Sequence, residues 1–307
     1  MKIYIAPPPI IGNESKWHCQ RGEKIVRDGL AQIPEVEIVD NDEKADVVLW
    51  DYRPHFKGEK SRELINKIDP SILAIVDWTD EPLEIHREDC LVYFKRSWVL
   101  PQYTRGLNPV KYSIERPANW YPFVYCMMPE FEVENEPERD IDIGCVLRPT
   151  CPNRQWVMEA VRHFARTFPE FRVHIGQINS ASRSVGEACY FDQDYLKMLK
   201  RCKILVTCEP SFWSGDSRLG EGFAARSLVF SDKIYVPYPN KPVHKEHLVE
   251  FEVGRYDQIE GELLDYLRNP QEARFVAENG YQLAKKYHTP LARMSYVIDT
   301  IKWAQRS

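Results

Sequence analysis

Short runs of apolar, β-branched residues alternate along the chain with longer stretches in which apolar positions recur every three to four residues. Lys2–Ala6, Val36–Val39, Asp46–Trp50, Ile72–Val76 and Leu91–Phe94 read as strands, with a helix from Lys16 to Ile33 between the first two. A stretch rich in Glu and Pro follows, and then the alternation restarts. Strands are predicted at Ile141–Leu147, Arg172–Ile175, Ile204–Cys208 and Leu228–Ser231, and helices at Arg154–Phe168, Asp194–Arg201 and Ser217–Ala225. Two late helices, Gln271–Tyr287 and Leu291–Arg306, are parted by Thr289-Pro290, where a proline ends or kinks a helix. Strands that alternate with amphipathic segments need crossover connections, and therefore mainly parallel sheets. The pattern predicts two open α/β domains, 1–128 and 140–290, joined by a linker at 129–139. The helix of 291–307 is placed to pack back on the first domain.

Composition narrows the function classes. At 307 residues and 43% apolar, the chain can fill two ordinary cores. A formal charge of −5 with scattered Lys and Arg offers no electrostatic footprint for nucleic acid. No apolar run reaches the roughly 20 residues that cross a bilayer, and prolines occupy the opening segment where a signal core would lie, so a cytoplasmic protein is expected. The eight cysteines include no CxxC pair and read as reduced, structural thiols.

The densest chemistry runs from Glu209 to Asp232, from a strand end through a loop into a helix and the next strand. Ligands of open α/β sheets sit outside the carboxyl ends of the strands. Asp216 or Ser217 can cap the helix beginning at Arg218, whose free amides and dipole attract phosphate. Arg218 and Glu221, three residues apart, share one face, which reads as polar and open to solvent. Gly220 and Gly222 inside so short a helix imply either close approach of a ligand or close packing on the sheet.

The run Gly215-Asp-Ser-Arg-Leu-Gly-Glu-Gly-Phe-Ala-Ala-Arg-Ser-Leu-Val-Phe-Ser-Asp232 resembles the donor-site signature of GT-B glycosyltransferases, nearest their group-one and exostosin-like members. The flanking Tyr195-Leu-Lys-Met-Leu-Lys-Arg-Cys-Lys-Ile-Leu-Val and Lys233-Ile-Tyr-Val-Pro-Tyr-Pro fit the same pattern. The resemblance implies an α/β, GT-B-like architecture: two Rossmann-like domains with parallel sheets and a cleft between them. It further implies that Glu221 holds the donor ribose and that Arg218 faces the diphosphate. Many retaining relatives carry another glutamate eight positions before Glu221. Trp213 stands there, and Glu209 is near but off register, so a retaining outcome is not implied.

Other groups complete the expected site. Arg148 and Arg154 bracket the turn after the strand Ile141–Leu147, where planar guanidiniums suit a diphosphate, although Arg148 can equally pair with a carboxylate for structure. Asp192-Gln193-Asp194 has a D-x-D form, but it stands where a helix begins and reads as a cap, so no metal is expected. A general base for the acceptor is sought after the strand Ile72–Val76, with Asp80 first, then Asp77, Glu81 and His18. The expected function is metal-independent transfer of a sugar from a nucleotide-sugar donor to a glycan or other hydroxyl acceptor. The alternatives are a sugar-nucleotide epimerase of similar fold and a non-catalytic sugar-binding protein.

Overall fold

The computed structural model describes residues 1–6, 20–52, 63–79, 87, 89–97, 117–133, 138–176, 193–209 and 216–307. Two parallel sheets organise them. The first contains β1 (Lys2–Ala6), β2 (Glu37–Val39), β3 (Val47–Tyr52), β4 (Leu73–Asp77), β5 (Val92–Lys95) and β6 (Trp120–Pro122), in the order β2-β1-β3-β4-β5-β6. The second contains β7 (Ile141–Val146), β8 (Val173–Gly176), β9 (Cys202–Val206), β10 (Leu228–Asp232) and β11 (Val249–Phe251), in the order β11-β10-β9-β7-β8. Every residue of β4, β5 and β10 is buried. Such near-continuous apolar runs are what a parallel strand covered on both faces requires.

Among the described residues the helices are α1 (Gln20–Ala31), α2 (Pro152–Thr167), α3 (Gln193–Arg201), α4 (Ser217–Ala224), α5 (Tyr256–Arg268), α6 (Pro270–Tyr287) and α7 (Pro290–Ala304). None is long and apolar enough to cross a membrane. Three elements lie beyond the sequence expectation. β6 and β11 are three residues each, too short to show alternation. α5 buries Ile259, Leu263 and Tyr266, which recur at helical spacing along one face.

The Glu/Pro-rich stretch expected as a linker is docked where it is described. Phe131 is fully buried at the end of a 3-10 turn, and the Val133 amide donates to Ala224 O at 3.1 Å. The helix α7 lies against α1 and β5, with Tyr296 edge-on to Phe94 at 5.8 Å and Lys302 Nζ bonded to Glu35 at 2.9 Å. One apolar cluster is continuous from the first sheet, through residues 123–131, to one face of the second sheet. The other face of the second sheet packs on α2 and α5 as a separate core.

Candidate active site

The second sheet reverses its winding between β7 and β9. The chain leaves β7 through α2 towards β8 on one side, and leaves β9 through α4 towards β10 on the other. A crevice at the carboxyl ends of such strands is where open α/β sheets bind ligands. Those ends are Val146 and Val206, and the polar residues singled out in the sequence converge on them.

Asp216 is the hub. It caps α4, with Oδ1 accepting from the Arg218 amide at 3.3 Å. Its carboxylate also accepts from Arg218 Nη1 at 3.1 Å, Arg154 Nη2 at 3.3 Å and Thr207 Oγ1 at 3.0 Å. Arg154, near the start of α2, donates Nε to Cys208 O at 3.1 Å, and Arg218 donates Nε to Val146 O at 3.0 Å. The two guanidiniums thereby tie the ends of β7 and β9 together. Burial alone would push the Asp216 carboxyl up, but Arg218 and Arg154, with the α4 amide and the Thr207 hydroxyl, outweigh it and hold the group below the ordinary carboxylate range. Among the described residues Arg154 Nη1 and Arg218 Nη2 make no hydrogen bond, so each arginine keeps a donor for a ligand.

A second layer of carboxyls backs this hub. Glu209 Oε1 accepts from the Asp216 amide at 2.6 Å, and the Glu209 amide donates to Asp232 Oδ1 at 2.8 Å. Asp232 ends β10. Burial lifts its carboxyl to about 7, and the nearby charge of Asp216 pushes the same way. A carboxyl that titrates near neutrality beside a ligand crevice is a candidate acid–base group.

Arg218 and Glu221 do share a face of α4, but that face is covered, which corrects the expectation of solvent exposure. Glu221 is 2% exposed and accepts from the Tyr195 hydroxyl at 2.6 Å. Arg218 is turned onto the sheet, where its Nε meets Val146 O, and Tyr195 of α3 covers Glu221; the chain after β6 packs on the other side of the helix, at Gly220. A Cβ on Gly220 would come within 2.8 Å of the Cys126 backbone. One on Gly222 would come within 2.6 Å of Val229 and 2.8 Å of Leu205 on the sheet. Close packing, rather than approach of a ligand, accounts for both glycines.

In the first sheet the structure corrects Asp77. It is fully buried at the end of β4; Oδ2 accepts from Tyr93 OH at 2.6 Å and Lys95 Nζ at 2.7 Å, and Oδ1 accepts from the Thr79 amide at 2.8 Å. A carboxylate so enclosed cannot reach an acceptor hydroxyl, and its role is to hold the corner after β4. Asp80, Glu81 and His18 lie outside the described residues.

Between the sheets is a cavity of about 20 Å³, room for about one water, lined by Tyr125 and Met127 on one side and by Glu209, Asp216 and Gly220 on the other. Arg293 and His288 close it. Arg293 is 2% exposed and donates Nη2 to His288 Nδ1 at 2.9 Å; its Nε has no partner, and no carboxylate pairs with it among the described residues. Burial, helped by the Arg293 charge, pushes His288 down to about 3. The neutral ring therefore accepts at Nδ1 and donates from Nε2 to Asn240 O at 2.8 Å.

Solved structures with this architecture are glycosyltransferases. An α-glucosyltransferase in complex with UDP and a 13-mer DNA containing an HMU base is 11% identical, with a TM-score of 0.62 over 98% of both chains. The same kind of enzyme with UDP-glucose and DNA containing an abasic site is 11% identical, with a TM-score of 0.63 over 98% of both chains. Anabaena HepE in complex with UDP is 9% identical, with a TM-score of 0.56 over 98% of this chain and 99% of that one. The chain has the GT-B fold. No protein-family model matches the sequence, and no curated protein matches it.

Within this GT-B frame, Arg154, Glu209, Asp216, Arg218 and Glu221 come together at the switch point of the second sheet. Ser217 opens α4, and Arg148 is half-buried in the turn after β7, at the same edge. Sequence reasoning passed over Thr207, Tyr195, Asp232, His288 and Arg293 as site groups. Asp232 and Tyr195 stood inside the segments that carried the resemblance. Thr207, at the end of an apolar strand, carried no signal of its own.

Proposed function

We propose that the chain is a glycosyltransferase that moves a sugar from a nucleotide-sugar donor to a hydroxyl acceptor without a metal ion. The observation that carries this reading is the pair of buried arginines converging with the capped N-terminus of α4 at the switch point of the second sheet. The UDP or UDP-glucose held by proteins of the same fold supports it.

In the proposed reaction the acceptor oxygen forms a bond to the anomeric carbon while the bond from that carbon to the donor's terminal phosphate oxygen breaks. Negative charge then collects on the departing nucleoside diphosphate. Arg154, Arg218 and the α4 amides are preorganised to receive it, which is the role a metal ion fills elsewhere. Glu221 is closed over by Tyr195, so for it to accept from the ribose hydroxyls the Tyr195 side chain would have to swing aside as the donor enters. The acceptor proton would pass to a base at the carboxyl edge of the first sheet, for which Asp80 remains the choice.

The test is direct. Purified protein is incubated with UDP-sugars and a panel of glycan, small alcohol and duplex DNA acceptors in excess EDTA, and products are read by mass spectrometry. DNA joins the panel because a protein of the same fold binds it. The proposal expects a new glycosidic bond, or slow donor hydrolysis to free sugar and nucleoside diphosphate, undiminished by EDTA. No turnover of any donor, or loss in EDTA with rescue by manganese, would contradict it.

A further inference from the structure

Near the start of α7, Arg293 brings a charge into the junction of the two sheets, where it is buried and pairs with no carboxylate among the described residues. A buried cation is ordinarily matched by an acid, because an unmatched charge away from water is costly. Its neighbours are neutral. Cζ lies 5.9 Å from the ring centres of both Phe123 and Tyr238. Nη2 donates to His288 Nδ1 at 2.9 Å, and burial holds that imidazole uncharged. The Cys126 thiol, pushed up to about 12 by burial, keeps its proton.

Donors at this point lack acceptors. Nε of Arg293 is buried without a partner, and Nη1 makes no hydrogen bond among the described residues. The Tyr238 hydroxyl, beside it, makes none either. Both residues line the cavity of about 20 Å³ between the sheets. Glu209 and Asp216 stand across it, but Asp216 is committed to Arg154 and Arg218, and neither carboxylate bonds to Arg293. Two carboxylates against two guanidiniums leave that wall without net charge, whereas the Arg293 side carries one positive charge. A water would satisfy a donor and leave the charge unbalanced. Phosphate and sugars exceed the volume, which admits a monatomic ion.

We infer that this cavity is a halide site, in which one chloride ion accepts from Arg293 Nη1 and the Tyr238 hydroxyl and balances the guanidinium. Arg293 belongs to the helix that packs on the first domain, and Tyr238 to the chain after β10 of the second. The ion therefore fastens the two domains together behind the crevice, with charge-assisted bonds to each.

The test is thermal unfolding of the whole protein as potassium chloride replaces potassium gluconate at constant ionic strength. Wild-type Tm should climb by about 3 °C or more and level off by about 0.2 M, because an ion held only by the folded state stabilises it by mass action. Bromide should act alike. Arg293→Met should show no climb, while matching or exceeding wild type in gluconate alone. Tyr238→Phe keeps the ring and loses one donor, so its half-maximal response should need about fivefold more chloride. Crystals soaked in sodium bromide should show an anomalous peak within hydrogen-bonding distance of Arg293 Nη1. Parallel climbs in wild type and Arg293→Met would reveal a general salt effect and overturn the site. A flat wild-type response, or a cavity holding only water in bromide, would do the same. Loss of the bromide peak in saturating UDP would make Arg293 a ligand of the donor phosphates and also overturn it. None of these readouts depends on glycosyl transfer, so failure here and failure of the proposed function are separable.

Discussion

Removing the carboxylate of Asp216 should strip the second sheet of its central clasp. Asp216→Ala takes from the guanidiniums of Arg154 and Arg218, each about nine-tenths buried, the one carboxylate bonded to both, and also uncaps α4. Breaking one side of a buried ion pair costs about 3–5 kcal/mol and loss of a cap about 1 kcal/mol. The two losses concern one carboxylate and do not add fully, so a total of about 3–5 kcal/mol is expected. Asp216→Asn keeps an acceptor for the Arg218 amide and should lose less. The double variant Asp216→Ala/Arg154→Met removes one orphaned cation and should regain at least about 1 kcal/mol over the single change. The assay is urea unfolding followed by tryptophan fluorescence and circular dichroism. The pH dependence has a definite sign. The folded carboxyl is depressed, so its contribution is present above the unfolded value of about 3.9 and is lost as pH falls through the folded value. The gap between wild type and Asp216→Asn should therefore close in strong acid. A loss under 1 kcal/mol in Asp216→Ala at pH 7, or a gap that persists in acid, would refute the clasp.

Asp232 behaves in the opposite sense. Its folded carboxyl is raised to about 7, so the stability it lends is full below about pH 4 and erodes as pH rises towards 7. Asp232→Asn, which can still accept from the Glu209 amide, should match wild type at pH 4 and exceed it by on the order of 2–4 kcal/mol at pH 8; a difference that does not change with pH would contradict this. Arg293→Met replaces a buried, unpaired cation with an apolar chain of similar length, at the loss of one bond to His288 worth about 1 kcal/mol. Its unfolding midpoint in urea should equal or exceed that of wild type, and a fall of more than about 2 kcal/mol would show that the charge is compensated.

Much of the architecture could be read from the chain because its central strands are buried on both faces. β1, β4 and β10 are apolar runs bounded by polar turns, and a parallel sheet follows from the helices between them. β6 and β11 could not be read in the same way, since three residues show no period and their existence rests on pairing with Tyr93–Lys95 and Phe230–Asp232. The site was half legible. Helical spacing placed Arg218 and Glu221 on one face of α4, which is local geometry. Whether that face meets solvent depends on how α4 sits on the ends of β7 and on Tyr195 of α3, and no local pattern encodes that. Asp77 was rightly set at a strand end, but its burial comes from register: Lys95 is its partner on the adjacent strand. Arg154 reaches Asp216 across 62 positions, and the Tyr195 hydroxyl reaches Glu221 across 26, so both contacts arise only with the tertiary fold.

The central claim is that nucleoside diphosphate binds where β7, β9 and the start of α4 meet, and calorimetric titration of UDP and uridine into wild type, Arg218→Ala and Glu221→Ala tests it most directly. Wild type should bind UDP. Arg218→Ala should lose about one to two orders of magnitude for UDP and little for uridine, because a charge-assisted bond to phosphate is worth about 1.5–3 kcal/mol. Glu221→Ala should weaken both ligands to a similar degree, and should also lower Tm because the Tyr195 hydroxyl loses its buried acceptor. Wild-type affinity for UDP in both folded variants, or no binding of UDP to wild type, would contradict the account.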